Sequence, residues 1–561
     1  MKARQAQDDQ LENCRLRMLA ERSQLARSLT DTNSCQERVL RQLIAENADT
    51  DFGRLHHFSR LGSIEDFKKA VPIRDYAEFE PWIDRAADGE SNVLTAEDPV
   101  LFFMSSGTTG RNKKIPVTRS FMRQTFFPFY FAMWAGLVES VPEALLRDDA
   151  TYSLKFDPRG RYPATNSGRP HLGVSQTDFE GIFGESLIEP GTRAPWKHLP
   201  VKLADDDHLG RAYARLCMAA QHDLLCIVGL NPAMVAALPR QLALWWPRLV
   251  KDIRDGTVGG VPAMIPNPER AATLERLATY FGTLLPSHLW PNLRSLFCWN
   301  TGVSSLYMPR LAESFGTNVR VFPAPVAASE GPVAVTVDGH RSAGSPVVAA
   351  MLLEFIEADE DILPDSETLG LSDLDAGREY HVIISQLGGL YRYALGDVVR
   401  VVDRPQGVPR LEYAGRRTLS NVAGERLRES QVVRALKDAL LSTGLEIDNV
   451  TCHVEQRGDD TGYGVAIAPR GSFQTQEIEA LEVRFDRALQ DVSRCYRHAR
   501  ESGRLGKSVF HVTEPDAFFR EWQARITSGV RPAQAKDRMF TSDADIWRRL
   551  TGRTAEGLRS V

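Results

Sequence analysis

The chain has 561 residues, too many for one ordinary domain, so two or three are expected. Hydrophobic content of 43% and charged content of 25% are those of a soluble globular protein. A net charge of −5 argues against a dedicated nucleic-acid binder, which would carry a strong basic bias.

Residues 1–35 are rich in Arg, Gln and Glu, with Leu11, Cys14, Met18, Leu25 and Leu29 near one helical stripe. That pattern predicts a helical extension, either packed on a neighbour or solvated. Met1 to Asp9 is polar with no apolar core behind it, which is not the pattern of a signal peptide. Ser63 and Asp75 are N-cap candidates for short helices over 64–70 and 76–87.

Val100 to Met104 is an apolar run that reads as a buried strand, and Ser105-Ser106-Gly107-Thr108-Thr109-Gly110 follows. Small side chains let backbone N–H groups approach a phosphate, hydroxyls add donors, and Lys113 or Lys114 supplies charge. The spacing of Gly107 and Gly110 does not fit the loop of nucleotide hydrolases. Read alone, the stretch is equally a Ser/Thr-rich surface loop.

An aromatic helix is expected over 120–138, with Phe121, Phe126, Phe127, Phe129, Tyr130, Phe131 and Trp134. Such a stripe is usually core, but one directly behind a phosphate loop can present a face to an apolar substrate. Phe126 to Val138 is too short to span a bilayer, so no membrane association is expected. Residues 148–210 are rich in Pro and loop-like. Strands over 224–230, 296–299, 319–322 and 347–354 then alternate with helices over 211–222, 232–246 and 268–281, which predicts an α/β architecture.

Phe322 to Pro332 contains Glu330 among small residues after a strand. A carboxylate there can hold Mg²⁺ against nucleotide phosphates, or be an exposed turn residue. Leu390 to Arg400 contains Gly396-Asp397, read as a turn opening a strand over 397–402. Its carboxylate can accept from both hydroxyls of a ribose, or make a local turn bond. Beyond Gly415 short strands over 449–469 and 508–513 mix with helices over 429–442, 474–498 and 515–527, the grammar of a smaller α+β domain.

The seven cysteines are scattered and none form a Cys-x-x-Cys pair, so reduced thiols in a cytoplasm are expected. Gly503 to Ser508 imitates a phosphate loop, but position 501 is Glu where that pattern needs Gly.

Taken together, Ser105 to Pro116, Val326 to Glu330 and Tyr391 to Asp397 resemble the three signatures of adenylate-forming enzymes. Their particular forms are similar to those of the Gretchen Hagen family of acyl acid amido synthetases. Trp290-Pro291-Asn292, Thr301-Gly302, Tyr307-Met308-Pro309, Glu514-Pro515 and Gln534-Ala535-Lys536 resemble further blocks of that family. The similarity runs over about 36–545.

The resemblance implies an extension over 1–35, a large N-terminal α/β adenylating domain over 36–415, and a smaller mobile α+β C-terminal domain over 416–561. It implies ATP and Mg²⁺ as cofactors, and a small carboxylic acid and an amine, an amino acid above all, as substrates. It assigns Ser105, Ser106, Gly107, Thr108, Thr109, Lys114, Val326, Ala327, Ser329, Tyr393, Asp397 and Arg416 to ATP. Glu330 would hold the metal and Lys536 would serve catalysis from the C-terminal domain, with Arg416 and Arg417 at the hinge. Phe127, Tyr130, Val174 and Val303 are the acyl-pocket candidates.

Two positions depart from the family pattern. Val326 stands where the family has an adenine-stacking Tyr, and Ala328 stands for a Ser. The chain reads Thr418-Leu419-Ser420-Asn421-Val422 where acyl-CoA ligases carry their hinge motif, which favours amide formation. An acyl-CoA ligase and a non-catalytic nucleotide- or acyl-binding relative remain the alternatives.

Overall fold

The computed structural model describes residues 2–106, 112–155, 163–417, 420–458 and 460–552. The chain divides into two compact units, each of which gathers separate stretches of sequence. The first takes Met1–Asp148, Phe156–Thr192 and Phe322–Tyr413, and the second Asp149–Lys155, Arg193–Val321 and Ala414–Val561.

The first unit opens with helix α1 (Lys2–Ser28), which buries Leu11, Cys14 and Met18. These lie at i, i+3 and i+7, one face of a helix. Helix α2 (Tyr76–Ala87) is started by a capping box in which Asp75 accepts from the Glu78 N–H and Glu78 accepts from the Asp75 N–H. Strand β1 (Leu101–Ser106) pairs antiparallel with β2 (Asn112–Val117) in the register Ser105 to Lys113, and lies parallel to His171–Leu172. Gly107, Thr108 and Thr109, the residues expected to bind phosphate, lie between these strands in the sequence and outside the described residues. Helix α3 (Phe127–Ser140) follows a π-helical turn over Met122–Phe126. Pro128 has no N–H to give the preceding turn, and the wider turn accommodates it. Helix α1 packs along α3: Arg22 pairs with Glu139 at 2.7 Å and the Arg17 guanidinium lies 4.0 Å from the Phe131 ring centroid.

Strands β3 (Val326–Ala328) and β4 (Gly331–Val335) form a tight antiparallel hairpin whose two turn residues are Ser329 and Glu330. A Cβ on Gly331 would lie 2.5 Å from the Met351 sulfur, so a glycine lets the turn sit close to its neighbour. A four-stranded sheet has the order β5 (Leu352–Glu357), β6 (Glu379–Gln386), β7 (Leu390–Val401) and β8 (Leu411–Arg416), and the first unit includes it as far as Tyr413 of β8.

The second unit holds a parallel arrangement of Thr151–Ser153, Cys226–Val228 and Ser295–Cys298. Helices His208–Ala219, Pro232–Asp255 and Pro268–Phe281 share its core with Trp196, Trp290 and Leu296. Asn231 and Asn267 cap the latter two. Helix Pro232–Asp255 continues past Pro239 and Pro247 to Asp255, beyond its expected end at 246. The same unit contains an α+β layer: helix α4 (Glu429–Thr443) and the sheet β9 (Ile447–Arg457), β10 (Asp460–Pro469) and β11 (Val509–Val512). Strands β9 and β10 are antiparallel, β10 and β11 parallel. The alternating architecture is thus a mixed α/β fold, as the sequence predicts. Among the described residues no helix is long and apolar enough to cross a membrane.

Candidate active site

Strand β7 carries the third signature, and its two irregularities decide what each residue does. Opposite the step from His381 to Ile383 on β6, strand β7 advances from Val398 to Ala394. Leu395, Gly396 and Asp397 therefore face a single residue, Val382, in a bulge whose Gly396 has φ +82°. A bulge bends the strand and re-aims a side chain, here the buried Asp397. The turn expected before Asp397 is thus a bulge inside one continuous strand, not the opening of a new one.

A second register shift lies between Ile384 and Gln386, and Arg392 there has φ +48°. Its backbone N–H donates to the Ser385 hydroxyl at 2.8 Å. Its guanidinium pairs with Glu354 at 2.9 Å, both side chains almost wholly enclosed, and donates to the Lys68 and Val71 carbonyls at 2.7 and 2.8 Å. Tyr391 stacks on Phe52 and donates to the Leu94 carbonyl at 2.6 Å. Tyr391 and Arg392 thus anchor the strand.

Tyr393 joins two other candidate residues. Its hydroxyl donates to Glu330 Oε1 at 3.3 Å and accepts from Lys113 Nζ at 3.3 Å. Burial, then the neighbouring Glu330 carboxylate, push its phenol well above the ordinary tyrosine range. Glu330 is only 4% exposed although it sits in a hairpin turn. Its backbone carbonyl accepts from Gln386 Nε2 at 3.3 Å. A carboxylate in a turn normally faces water, whereas this one is buried and accepts from Tyr393.

Lys113 and Lys114 are neighbours on β2, so their side chains leave opposite faces. Lys113 goes to Tyr393, and its Nζ lies 5.0 Å from the Tyr76 ring centroid. Lys114, the lysine assigned to ATP from the sequence, pairs instead with Asp84 of α2 at 2.7 Å. Ser105 stands opposite Lys113 on β1. Ser106 closes that strand. Val326 is buried at the start of β3, Ala327 is exposed, and Ser329 is half-buried in the turn. Sequence reasoning left Tyr76 out of the site. It missed β2 altogether, reading two lysines and Pro116 as loop.

The acyl candidates divide. Phe127 and Tyr130 on α3 join Phe126, Phe179 and Phe183 in one aromatic cluster, with Phe126 stacked on Phe179 at 5.5 Å. The Tyr130 hydroxyl donates to Glu189 at 2.5 Å, and burial and that carboxylate raise its phenol well above the usual range. Val174 is half-buried in a short 3₁₀ turn over Val174–Gln176 of the same unit. Val303 belongs to the second unit, where it packs with Leu436 and Val450 and its N–H donates to Glu429 at 3.2 Å.

The remaining two candidates also lie in the second unit. Arg416 ends β8 and is exposed. Lys536 places its Nζ 4.6 Å from the Trp299 ring centroid. Beside it, the Tyr307 hydroxyl donates to Asp537 at 2.5 Å, and burial raises that carboxyl above the ordinary range.

Comparison with known proteins identifies this arrangement. The description "GH3 family N-terminal domain" matches residues 21–320, "GH3 family central domain" 346–416, and "GH3 family C-terminal domain" 430–545. The chain belongs to the GH3 family. Among curated GH3 relatives, jasmonoyl–L-amino acid synthetase JAR6 of Nicotiana attenuata is 26% identical, with 87% of each chain covered. A probable indole-3-acetic acid-amido synthetase of Oryza sativa subsp. japonica, GH3.12, is 27% identical over 91% of each. The solved structure of the acyl acid amido synthetase AtGH3.15 in complex with 2,4-DB superposes with a TM-score of 0.77 at 20% identity, covering 95% of this chain and 96% of that one. A 2-hydroxyisobutyryl-CoA ligase in its postadenylation state superposes at 0.50 and 13% identity, covering 94% and 92%. These similarities show that the GH3 chain has the adenylate-forming fold.

Proposed function

We propose that this chain is an ATP-dependent acyl acid amido synthetase that conjugates a small carboxylic acid to an amine, an amino acid above all. The observation that carries the reading is the chain of contacts from Lys113 through Tyr393 to the buried Glu330. It joins one cation at the start of β2 to one hard carboxylate, and its GH3 relatives are amido synthetases.

The reaction balances in two steps. A carboxylate oxygen of the acid attacks the α-phosphorus of ATP, the bond to the bridging oxygen breaks, and pyrophosphate leaves. The amine nitrogen then attacks the acyl carbon, AMP departs with the carboxyl-derived oxygen, and the amine releases a proton. Little side-chain covalent chemistry is required, so catalysis is positioning and neutralisation of phosphate charge.

Lys113, rather than Lys114, supplies the loop cation, because Lys114 is engaged by Asp84. Glu330 fits Mg²⁺, a hard cation commonly held by one or two carboxylates with phosphate oxygens completing its shell. Bound there, Mg²⁺ would neutralise phosphate charge. Tyr393 orients the Glu330 carboxylate through its hydroxyl. Asp397, re-aimed by its bulge, accepts from ribose hydroxyls. Gly107, Thr108 and Thr109 cradle phosphates with their backbone N–H groups. Val326 packs against adenine in place of an aromatic ring. Lys536 neutralises charge on the carboxylate or α-phosphate during adenylation, carried by a C-terminal domain over 416–561 that turns between half-reactions. The aromatic cluster around Phe127 and Tyr130 favours an apolar or aromatic acid. All seven thiols are free and six are buried, which suits a reducing cytoplasm.

Conjugation of panels of acids with amino acids, other amines or coenzyme A, read by mass spectrometry, tests this. Amide products with AMP release support the reading. Thioester products alone would replace it with an acyl-CoA ligase. In single-turnover form, Lys536→Ala should slow adenylation more than amide formation. Equal losses would contradict its role.

A further inference from the structure

Tyr76 touches both lysines of β2, although nothing in its sequence surroundings marks it. It is the first residue of α2, fixed there by the Asp75–Glu78 capping box. Its hydroxyl accepts the backbone N–H of Lys114 at 2.8 Å. Its ring lies 5.0 Å from Lys113 Nζ. Asp84, eight residues further along the same helical face, takes Lys114 Nζ at 2.7 Å. One face of α2 therefore grips β2 at three points. The lysine side chain that points away from Asp84 rests between the Tyr76 ring and the Tyr393 hydroxyl.

We propose that Tyr76 is a positioning residue for the phosphate-binding lysine: its hydroxyl fixes the β2 backbone and its ring seats the Lys113 ammonium beside Tyr393 and Glu330. The proposal rests on the adenylation reading for its kinetic consequence but not for its geometry. Burial pushes the Tyr76 phenol up to about 12, so the hydroxyl stays neutral, and its oxygen accepts the Lys114 N–H. An aromatic face attracts a cation without neutralising it, so Lys113 keeps its full charge for an incoming phosphate. A carboxylate in the same place would compete with that phosphate. This is the difference between Lys113 on Tyr76 and Lys114 on Asp84.

Two variants separate the two contacts. Tyr76→Phe keeps the ring and loses the hydroxyl, and Tyr76→Leu loses both. The first readout is independent of activity: acylation of lysines by an amine-reactive ester, quantified residue by residue by peptide mass spectrometry. Tyr76→Leu should raise Lys113 labelling about two- to fivefold relative to Lys114, the scale of a half-exposed cation–π contact, while Tyr76→Phe leaves it near wild type. In Tyr76→Phe the Lys114 amide should exchange its hydrogen faster. The second readout is kinetic. In pyrophosphate exchange Tyr76→Leu should raise the KM for ATP by a similar factor and change kcat less.

Unchanged Lys113 labelling in Tyr76→Leu would overturn the proposal, as would a loss confined to kcat. If Tyr76→Leu does not fold, Tyr76→Phe still decides: an unchanged Lys114 amide overturns the hydroxyl contact. Wild-type protein without exchange activity but with the expected labelling pattern would sink the adenylation reading and leave the positioning of Lys113 standing.

Discussion

Two adjacent lysines on one strand should differ in function, with Lys113 the more sensitive to loss of its charge. Lys113→Met removes an ammonium that contacts the Tyr393 hydroxyl at 3.3 Å, beside the buried Glu330. A hydrogen bond between a charged donor and phosphate contributes about 1.5–3 kcal/mol, which corresponds to about 10- to 150-fold in kcat/KM for ATP. Lys114→Met removes an ion pair with Asp84 in which the side chains are 34% and 46% exposed. Such a pair contributes about 0.2–1 kcal/mol to stability, so the kinetic change should stay within about fivefold. Both substitutions shorten the side chain by the one terminal atom and remove one charge, so net charge does not explain a difference between them. The assay is ATP-dependent pyrophosphate exchange at several ATP concentrations. The reasoning is refuted if Lys114→Met falls as far as Lys113→Met, or if Lys113→Met is unaffected.

Other consequences concern the scaffold. Arg392→Met or Glu354→Gln leaves one member of an enclosed ion pair uncompensated, and each should cost about 3–5 kcal/mol; the double variant should lose less than the sum, measured by denaturant titration of the unfolding step that includes β7. Asp252 is buried, which opposes its ionisation, but bonds from Thr257, Tyr213 and the Gly259 and Gly260 N–H groups outweigh this and hold its carboxyl below the usual range. A depressed carboxyl stabilises the fold above its unfolded value of about 3.9 and loses that contribution as pH falls through the folded value. The stability gap between wild type and Asp252→Asn should therefore be constant from pH 7 to 5 and shrink below about pH 4. A gap that does not shrink would contradict this account of Asp252.

The sequence exposed what is local. The Asp75 N-cap and the stripe Leu11, Cys14, Met18 each depend on neighbours within a few residues. The α/β alternation and the strand character of 449–469 were legible for the same reason; the pairing of β9 with β10 was not. What packs on a stripe is not local, so α3 as the partner of α1 could not be read. Strand β2 was hidden because Lys113, Lys114 and Pro116 look like a loop, and its antiparallel pairing to β1 is what makes them a strand.

In the site, the residue types were readable and their partners were not. Read alone, Glu330 looked like an ordinary turn carboxylate, and its contact with Tyr393, sixty-three positions away, is not visible in the sequence. Gly396 was a true signal, but it marks a bulge within β7 and not a break before it. The choice between Lys113 and Lys114 turns on strand pleating, which shows only once β2 is recognised. Val303 and Phe127 were acyl-pocket candidates by resemblance, and they belong to different units.

The most direct test of the central claim is carboxylate-dependent exchange of labelled pyrophosphate into ATP by the purified protein with Mg²⁺, in parallel with Glu330→Gln. The account predicts exchange that requires both a carboxylic acid and Mg²⁺, with a large loss in Glu330→Gln. Absence of exchange across a broad panel of acids, or equal exchange by Glu330→Gln, would contradict it.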